Sequence, residues 1–372
     1  MDRKVADQER LWQRRCARLW RWLQEQPIDG LLVVRPANVT YLTGFSGDSS
    51  WLLVGREAPL MVSDGRYEEQ LRCECPGLES VIRATTGEPM ERAVRRAVER
   101  LGVAAVGFEA EVMTVAALER LRQEVSSVVF SPVSGVVERL RAVKEPQEVE
   151  AIRGAIARAE AALRDALEQV DLRLEPSEAV FAGALNAAMR RRGAIEEAFT
   201  PIVASGPRAA LPHARLDPSA RLQLETGVLV DWGARYRLYV SDLTRMITRP
   251  RMAPSLRNVI DAVVRAKERA IAALRPGVPA ATIHAEAAAV LDQAGFGDFF
   301  KHSVGHGIGL EVHEEPFLRL GSQTLLQPGM VVTIEPGVYL PGELGVRVEE
   351  DVLITEHGPE VLTSLPSVLT VD

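Results

Sequence analysis

The chain has 372 residues, a formal net charge of −7 and 47% hydrophobic residues, enough apolar material for a large core and about two domains. The acidic balance excludes a general affinity for nucleic acid or anionic membrane. Apolar runs are strand-sized and interrupted by charge, so no spanning segment is expected. The opening MDRKVADQERLWQRRCARLWRW is too charged for the apolar core of a signal peptide, and a cytoplasmic protein is the expectation. Cys16, Cys73 and Cys75 are odd in number and offer only a weak C-x-C spacing, so free thiols in a reducing compartment are expected.

In chain order, an amphipathic helix is predicted around Gln8 to Glu25, with Leu11, Leu19, Trp20 and Leu23 packing into a core. Strands are predicted at Gly30 to Val34, Ser50 to Val54, Pro59 to Val62 and Ala104 to Phe108. They alternate with helical patterns at Tyr67 to Cys73, Glu88 to Arg100 and Val115 to Val125. This describes an α/β domain without a Gly-rich phosphate loop. NVTYLTGFSGDSSW has aromatic and hydroxyl residues suited to a cleft, and is expected to be a structural turn. The charged, Pro-containing joint RLRAVKEPQE places a domain boundary between residues 1–143 and 144–372.

The second domain shows a repeated layout. Helices at Pro146 to Val170 and Pro176 to Arg192 lead to GVLVDWGARYRLYVSDLTRMIT. Helices at Ala253 to Leu274 and Ala280 to Ala294 lead to GMVVTIEPGVYLPGELGVRVEEDVLIT. Each half ends in a hairpin-like strand pair with two embedded acids, Asp231 and Asp242 in the first and Glu335 and Glu349 in the second. Two halves about a pseudo-twofold axis follow. Ionised carboxylates among branched aliphatics are costly unless paired or bound to a cation. Arg245 or Arg347 offers a salt bridge for one of them, whereas four together call for divalent cations, and oxygen-rich donors with a single imidazole favour Mn²⁺-like ions.

Between the helices and the second hairpin lies FKHSVGHGIGLEVHEEP, with His302, His306 and His313 in one window. Such histidines can be metal ligands, acid/base groups or both. Gly305, Gly307 and Gly309 are expected to give close backbone approach to a bound group and positive φ angles.

Together, VDWGARYRLYVSDLTR, HSVGHGIGLEVHEEP, TIEPGVY and VRVEED resemble the proline-specific pita-bread metallopeptidases, the Xaa-Pro aminopeptidases and Xaa-Pro dipeptidases. YLTGFSGDSSW and VSDGRYEEQ resemble the creatinase-type N-terminal domain. The resemblance implies a creatinase-like α/β domain followed by a pita-bread α+β catalytic domain. It also implies a dinuclear metal site of Asp231, Asp242, His306, Glu335 and Glu349, with Mn²⁺ expected and Co²⁺, Zn²⁺ or Fe²⁺ as alternatives. A metal-bridged hydroxide would attack the carbonyl preceding proline, and Glu335 would shuttle its proton.

By the same resemblance, His302 and His313 contact substrate and help in proton transfer, His213 borders the substrate, and Tyr339 stands beside the metals. Arg347 lies two residues before Glu349, so an extended strand points both to one face, where the guanidinium can orient that ligand or a neighbouring acid. Arg208 departs from the asparagine often found in SGPNAALPH. The first domain tips the expectation toward an aminopeptidase acting on proline-containing peptides. A dipeptidase is the alternative, and it gains from a cation that captures the substrate's C-terminal carboxylate; Arg319 is the basic residue in the loop where related dipeptidases tend to carry an arginine. A metal-free creatinase-like hydrolase and a non-enzymatic binding module are further alternatives, and the complete ligand set argues against both. Relatives are commonly homodimers, with one N-terminal domain narrowing another subunit's entrance.

Overall fold

The computed structural model describes residues 3–56, 58–85 and 87–371. The chain divides into two compact units, Met1–Arg141 and Ala142–Asp372. In the first, the elements run α1 (Arg3–Leu23), β1 (Gly30–Val33), α2 (Pro36–Thr43), β2 (Trp51–Val54), β3 (Pro59–Ser63) and α3 (Glu68–Glu74). They continue with β4 (Ser80–Ile82), α4 (Met90–Leu101), β5 (Ala105–Glu109), α5 (Val115–Glu124), β6 (Val129–Val133) and α6 (Val136–Ala142). The described strands form one mixed sheet in the order β4-β3-β2-β1-β5-β6. In its centre β1 runs parallel to β5 and antiparallel to β2, and all of β1 is buried, which is why it reads as an unbroken apolar run. The apolar stripe of α4, Ala93, Val94, Ala97 and Val98, packs into the core shared with this sheet.

NVTYLTGFSGDSSW does not form only a turn: its first half lies in α2. Pro36 begins this helix, and Gly44 closes it at φ 79°, its N–H donating to the Thr40 carbonyl. Because α2 buries Asn38, Val39, Tyr41, Leu42 and Thr43, it has no polar face from which to read a period. The short β4, β6 and α6 were likewise not foreseen.

The second unit begins with α7 (Pro146–Gln169), α8 (Glu178–Arg191), β7 (Glu196–Glu197), β8 (Ile202–Ser205), β9 (Val228–Trp232), β10 (Ala234–Tyr236), β11 (Tyr239–Val240) and β12 (Leu243–Thr248). Its later half comprises α9 (Pro254–Ala273), α10 (Ala280–Gln293), β13 (Gly305–Gly307), β14 (Glu314–Leu318), β15 (Val331–Ile334), β16 (Gly337–Leu340), β17 (Leu344–Arg347), β18 (Glu350–Thr355), β19 (Gly358–Val361) and β20 (Val368–Thr370). Pro146 and the Glu145/Glu148 capping box start α7, and the Ser177 hydroxyl caps α8 by accepting from the Val180 N–H.

Two sheets carry the site, β20-β12-β9-β8 and β14-β13-β15-β18-β19. Ile152 and Leu163 of α7 and Phe181 and Leu185 of α8 share one core with Val230 and Leu243 of the first sheet. Val259 and Val263 of α9 and Ile283 and Leu291 of α10 share another with Val332 and Val352 of the second. Each helix pair thus backs one sheet, in the repeated order legible in the sequence. No helix among the described residues is long and apolar enough to cross a membrane.

Candidate active site

The four acids sit within or directly beside strands of the two sheets. Asp231 is in β9 and pairs in register with Thr244 of β12. Asp242 immediately precedes β12, Glu335 follows β15, and Glu349 precedes β18. Three of the four therefore stand at strand ends rather than inside hairpin strands as expected. The two sheets are stitched together behind them. The Glu349 N–H donates to the Thr244 carbonyl at 3.1 Å, the Thr244 hydroxyl donates to Glu349 Oε2 at 2.7 Å, and the Asp242 N–H donates to Asp351 Oδ2 at 3.2 Å.

His306, in β13, faces this group. Its Nε2 lies 3.3 Å from Glu335 Oε1 and 3.9 Å from Asp242 Oδ2. Asp242, His306 and Glu349 each offer a ligand atom within 4.8 Å of the others'. Burial, joined by the charges of Glu349, Asp231 and Glu335, drives the Asp242 carboxyl well above its ordinary range; burial and the charges of Glu335 and Asp231 do the same to Glu349. Burial opposes ionisation of Glu335 too, but the His306 hydrogen bond and charge, then the electrostatic pull of His302 and Arg347, hold it at about 2.

Arg347, 3% exposed, is the one guanidinium in direct contact with these carboxylates among the described residues. It donates to Asp231 Oδ2 at 2.6 Å and Tyr339 Oη at 2.7 Å, and at 3.2 Å to both the Thr244 hydroxyl and the Pro212 carbonyl. Of the two roles open to it, the structure shows contact with the neighbouring acid Asp231 and reaches Glu349 only through Thr244. Arg245 turns away, to Glu350 Oε2 at 2.7 Å and to the backbone carbonyl of Glu349. One arginine cannot balance four buried carboxylates. Asp231 Oδ1 is buried without a hydrogen-bond partner among the described residues. Oxygen donors, one imidazole and an orphaned carboxylate oxygen fit divalent cations.

The acids form part of the lining of a cavity of about 870 Å³, within the usual range for small-ligand sites. His213, His302, His306 and His313 line it, with Phe199, Leu216, Val312 and Phe317 supplying apolar wall. His302 has both ring nitrogens engaged, Nδ1 at 2.8 Å from the Ser303 carbonyl and Nε2 at 2.8 Å from Tyr339 Oη. With Nδ1–H donating to that carbonyl, Nε2 accepts from the tyrosine, while Arg347 donates to the same phenol oxygen. Tyr339 is 3% exposed and stands behind His302 rather than on the wall. Burial pushes its phenol up to about 12. The rings of His306 and His313 lie 4.3 Å apart.

One sequence expectation is corrected here, that for the three glycines. Gly305, Gly307 and Gly309 do not adopt positive φ, and they admit protein rather than ligand. An added Cβ would lie 1.9 Å from the Thr333 carbonyl oxygen, 2.2 Å from that of Glu315 and 2.4 Å from the Glu314 carboxylate. Arg319 is absent from the cavity lining; its guanidinium lies 5.4 Å from the Phe317 ring centre. Arg208 turns from the cavity and forms a two-pronged bond to Glu178 at 2.6 and 2.9 Å. Thr244 and Asp351 escaped the sequence reading. Asp351 was accessible to it, because strand alternation puts Glu349 and Asp351 on one face and Glu350 on the other.

A buried cluster of acids around a histidine, fitted to divalent cations and opening on a cavity of substrate size, is the arrangement of a metal-dependent enzyme. Residues 150–356 match metallopeptidase family M24, and residues 15–143 match the creatinase/prolidase N-terminal domain. The chain belongs to metallopeptidase family M24. The Xaa-Pro dipeptidase of Pyrococcus furiosus is 34% identical to it over 94% of this chain and 97% of that one. The structure of a Xaa-Pro dipeptidase from Bacillus anthracis matches with a TM-score of 0.91 at 33% identity, covering 97% of this chain and all of that one. An X-Pro aminopeptidase from Thermotoga maritima matches with a TM-score of 0.85 at 32% identity, over 94% and 100%. The fold is the creatinase-like domain followed by a pita-bread domain that the motifs implied.

Proposed function

We propose that this chain is a cytoplasmic exopeptidase that hydrolyses the bond between an N-terminal residue and a following proline, with two divalent cations, Mn²⁺ foremost, held by Asp231, Asp242, His306, Glu335 and Glu349. The observation that carries the reading is the excess of buried acid over cation at one end of a histidine-lined cavity. Solved relatives under both the Xaa-Pro dipeptidase and the X-Pro aminopeptidase names support the proline requirement. When bound, the cations polarise the scissile carbonyl and make water nucleophilic near neutral pH.

The protein's own groups do the rest. Glu335, ionised in its contact with His306, takes the proton that water gives up. His213 and His313 line the cavity with no ring hydrogen bond among the described residues, so either can relay that proton to the departing proline nitrogen, which has no hydrogen of its own. His302, tied to Tyr339 and Ser303, shapes the wall. Arg347 fixes Asp231. The apolar residues Phe199, Leu216 and Val312 offer surface to the rigid ring. A homodimer completes the reading and is checked by light scattering.

Protein freed of metal, then reconstituted with Mn²⁺, is assayed on alanyl-proline, on a tripeptide with proline second and on the matching peptides without proline. Metal-dependent cleavage before proline is expected. Cleavage without metal, or equal cleavage of the proline-free peptides, overturns the proposal.

A further inference from the structure

We infer that Lys144 is a positioning residue for His313: through Glu314 it fastens the turn that sets this histidine's ring beside the acid cluster. What His313 does there rests on the proposed hydrolysis, whereas the hold on its turn does not.

His313 cannot hold itself in place. Its side chain is exposed and its ring makes no hydrogen bond among the described residues, yet the ring centre lies 4.3 Å from that of His306 and the residue lines the cavity. His302 is held differently, by both ring nitrogens. The place of His313 is therefore set by its backbone, the turn of residues 309–313 between β13 and β14.

Both ends of that turn are fastened. At its start the Gly309 carbonyl accepts from the Val240 N–H at 2.9 Å, and the Leu310 carbonyl accepts from the Arg235 guanidinium at 3.0 Å, so β10 and β11 each hold one residue. At its end Glu314 pairs in register with Gly307 and folds its carboxylate back onto Gly309, where an added Cβ would lie 2.4 Å from Oε1. That same oxygen lies 2.8 Å from Lys144 Nζ, and the two side chains are only 4% and 1% exposed. Lys144 is itself fixed, its N–H donating to the Gly329 carbonyl at 2.9 Å and its ammonium to the Ala142 carbonyl at 3.3 Å.

A buried ion pair adds little net stability over apolar chains of similar length. What it supplies here is direction: the ammonium fixes where the Glu314 carboxylate sits against Gly309, and so closes the turn whose last residue is His313. Displacing a reacting group by about 1 Å can cost roughly 100-fold in rate, so a turn held at one end only is a handicap to catalysis before it is one to folding.

The test uses Mn²⁺-loaded wild type, K144M and K144M/E314M, the last replacing the ion pair by two apolar chains of similar length. Alanyl-proline kinetics, Mn²⁺ content, Tm and hydrogen exchange of residues 309–313 are measured on each. K144M should lose roughly 10- to 100-fold in kcat, with KM and Mn²⁺ content near those of wild type. The double variant should regain Tm without regaining kcat, and residues 309–313 should exchange faster than wild type in both variants. Wild-type kcat in K144M, or kcat that returns with Tm in the double variant, overturns the inference and leaves the pair to the fold alone. So does kcat lost in step with Mn²⁺, which would place the effect at His306. Should K144M not fold, the double variant decides by the same criteria. If wild type cleaves no proline peptide, the peptidase proposal fails and exchange alone decides: faster exchange at residues 309–313 in the double variant supports the hold, and wild-type exchange there refutes it.

Discussion

Replacing Arg347 with methionine perturbs the point where charge balance and fold meet. The guanidinium is buried against Asp231 and three further acceptors, and breaking a buried pair from one side costs roughly 3–5 kcal/mol because the remaining charge is uncompensated. For a catalytic unit of this size, each kcal/mol moves Tm by roughly 2–4 °C. In the metal-free protein the R347M unfolding transition should therefore fall by roughly 6–20 °C. With saturating Mn²⁺ the loss should be visibly smaller, since the cations supply positive charge to Asp231 and its neighbours. Differential scanning calorimetry with chelator and with Mn²⁺ measures both, and R347K should lie between R347M and wild type. An identical Tm loss with and without metal, or a loss under about 2 °C in the metal-free protein, would refute the claim that Arg347 works chiefly as counter-charge to the acids.

Burial pushes the Asp351 carboxyl up to about 8. A carboxyl that keeps its proton longer in the folded state contributes stability that is fully present below about pH 4 and is lost as pH rises toward 8. Metal-free D351N, which cannot titrate there, should show a flatter fall of Tm between pH 5 and 8 than wild type; parallel curves would contradict the assignment. Gly305→Ala must push a methyl against the Thr333 carbonyl at 1.9 Å, and overpacking of this kind costs about 1–3 kcal/mol, seen as a lowered denaturation midpoint; an unchanged midpoint would show that β13 and β15 can separate freely. Arg208 holds Glu178 and the Arg215 carbonyl, and Glu178 holds the Asp217 N–H, so that the chain beside the cavity-lining His213 is tied down; Arg208→Ala should raise KM about 10-fold or more with a smaller change in kcat, and the paired E178Q protein should behave similarly. Loss of kcat at unchanged KM would place Arg208 in the chemistry instead of in this tie.

The catalytic unit was legible because its acids and histidines sit in several motifs in one order, and because two helices followed by a strand pair occur twice. Less accessible was how each acid is held. Sequence places Glu349 beside Glu350 and Asp351, yet these three reach Thr244, Arg245 with Lys267, and the Asp242 N–H respectively, partners distant in the chain. Alternation predicts the faces but not the partners. The glycine-rich histidine loop misled for a related reason: local chemistry shows that a side chain is excluded, whereas what excludes it, the backbone of β15 and the backbone and Glu314 carboxylate of β14, is tertiary. Helix α2 escaped because a short element buried on most sides carries no periodic contrast.

The central claim is that the five-residue cluster holds the metal on which hydrolysis depends. Elemental mass spectrometry after equilibrium dialysis against Mn²⁺, run beside alanyl-proline turnover on wild type, D242A and E349A, tests it most directly. The account predicts two ions per wild-type chain, fewer in each variant, and turnover lost with the metal. Full metal occupancy in both variants, or turnover persisting after metal is gone, would contradict it.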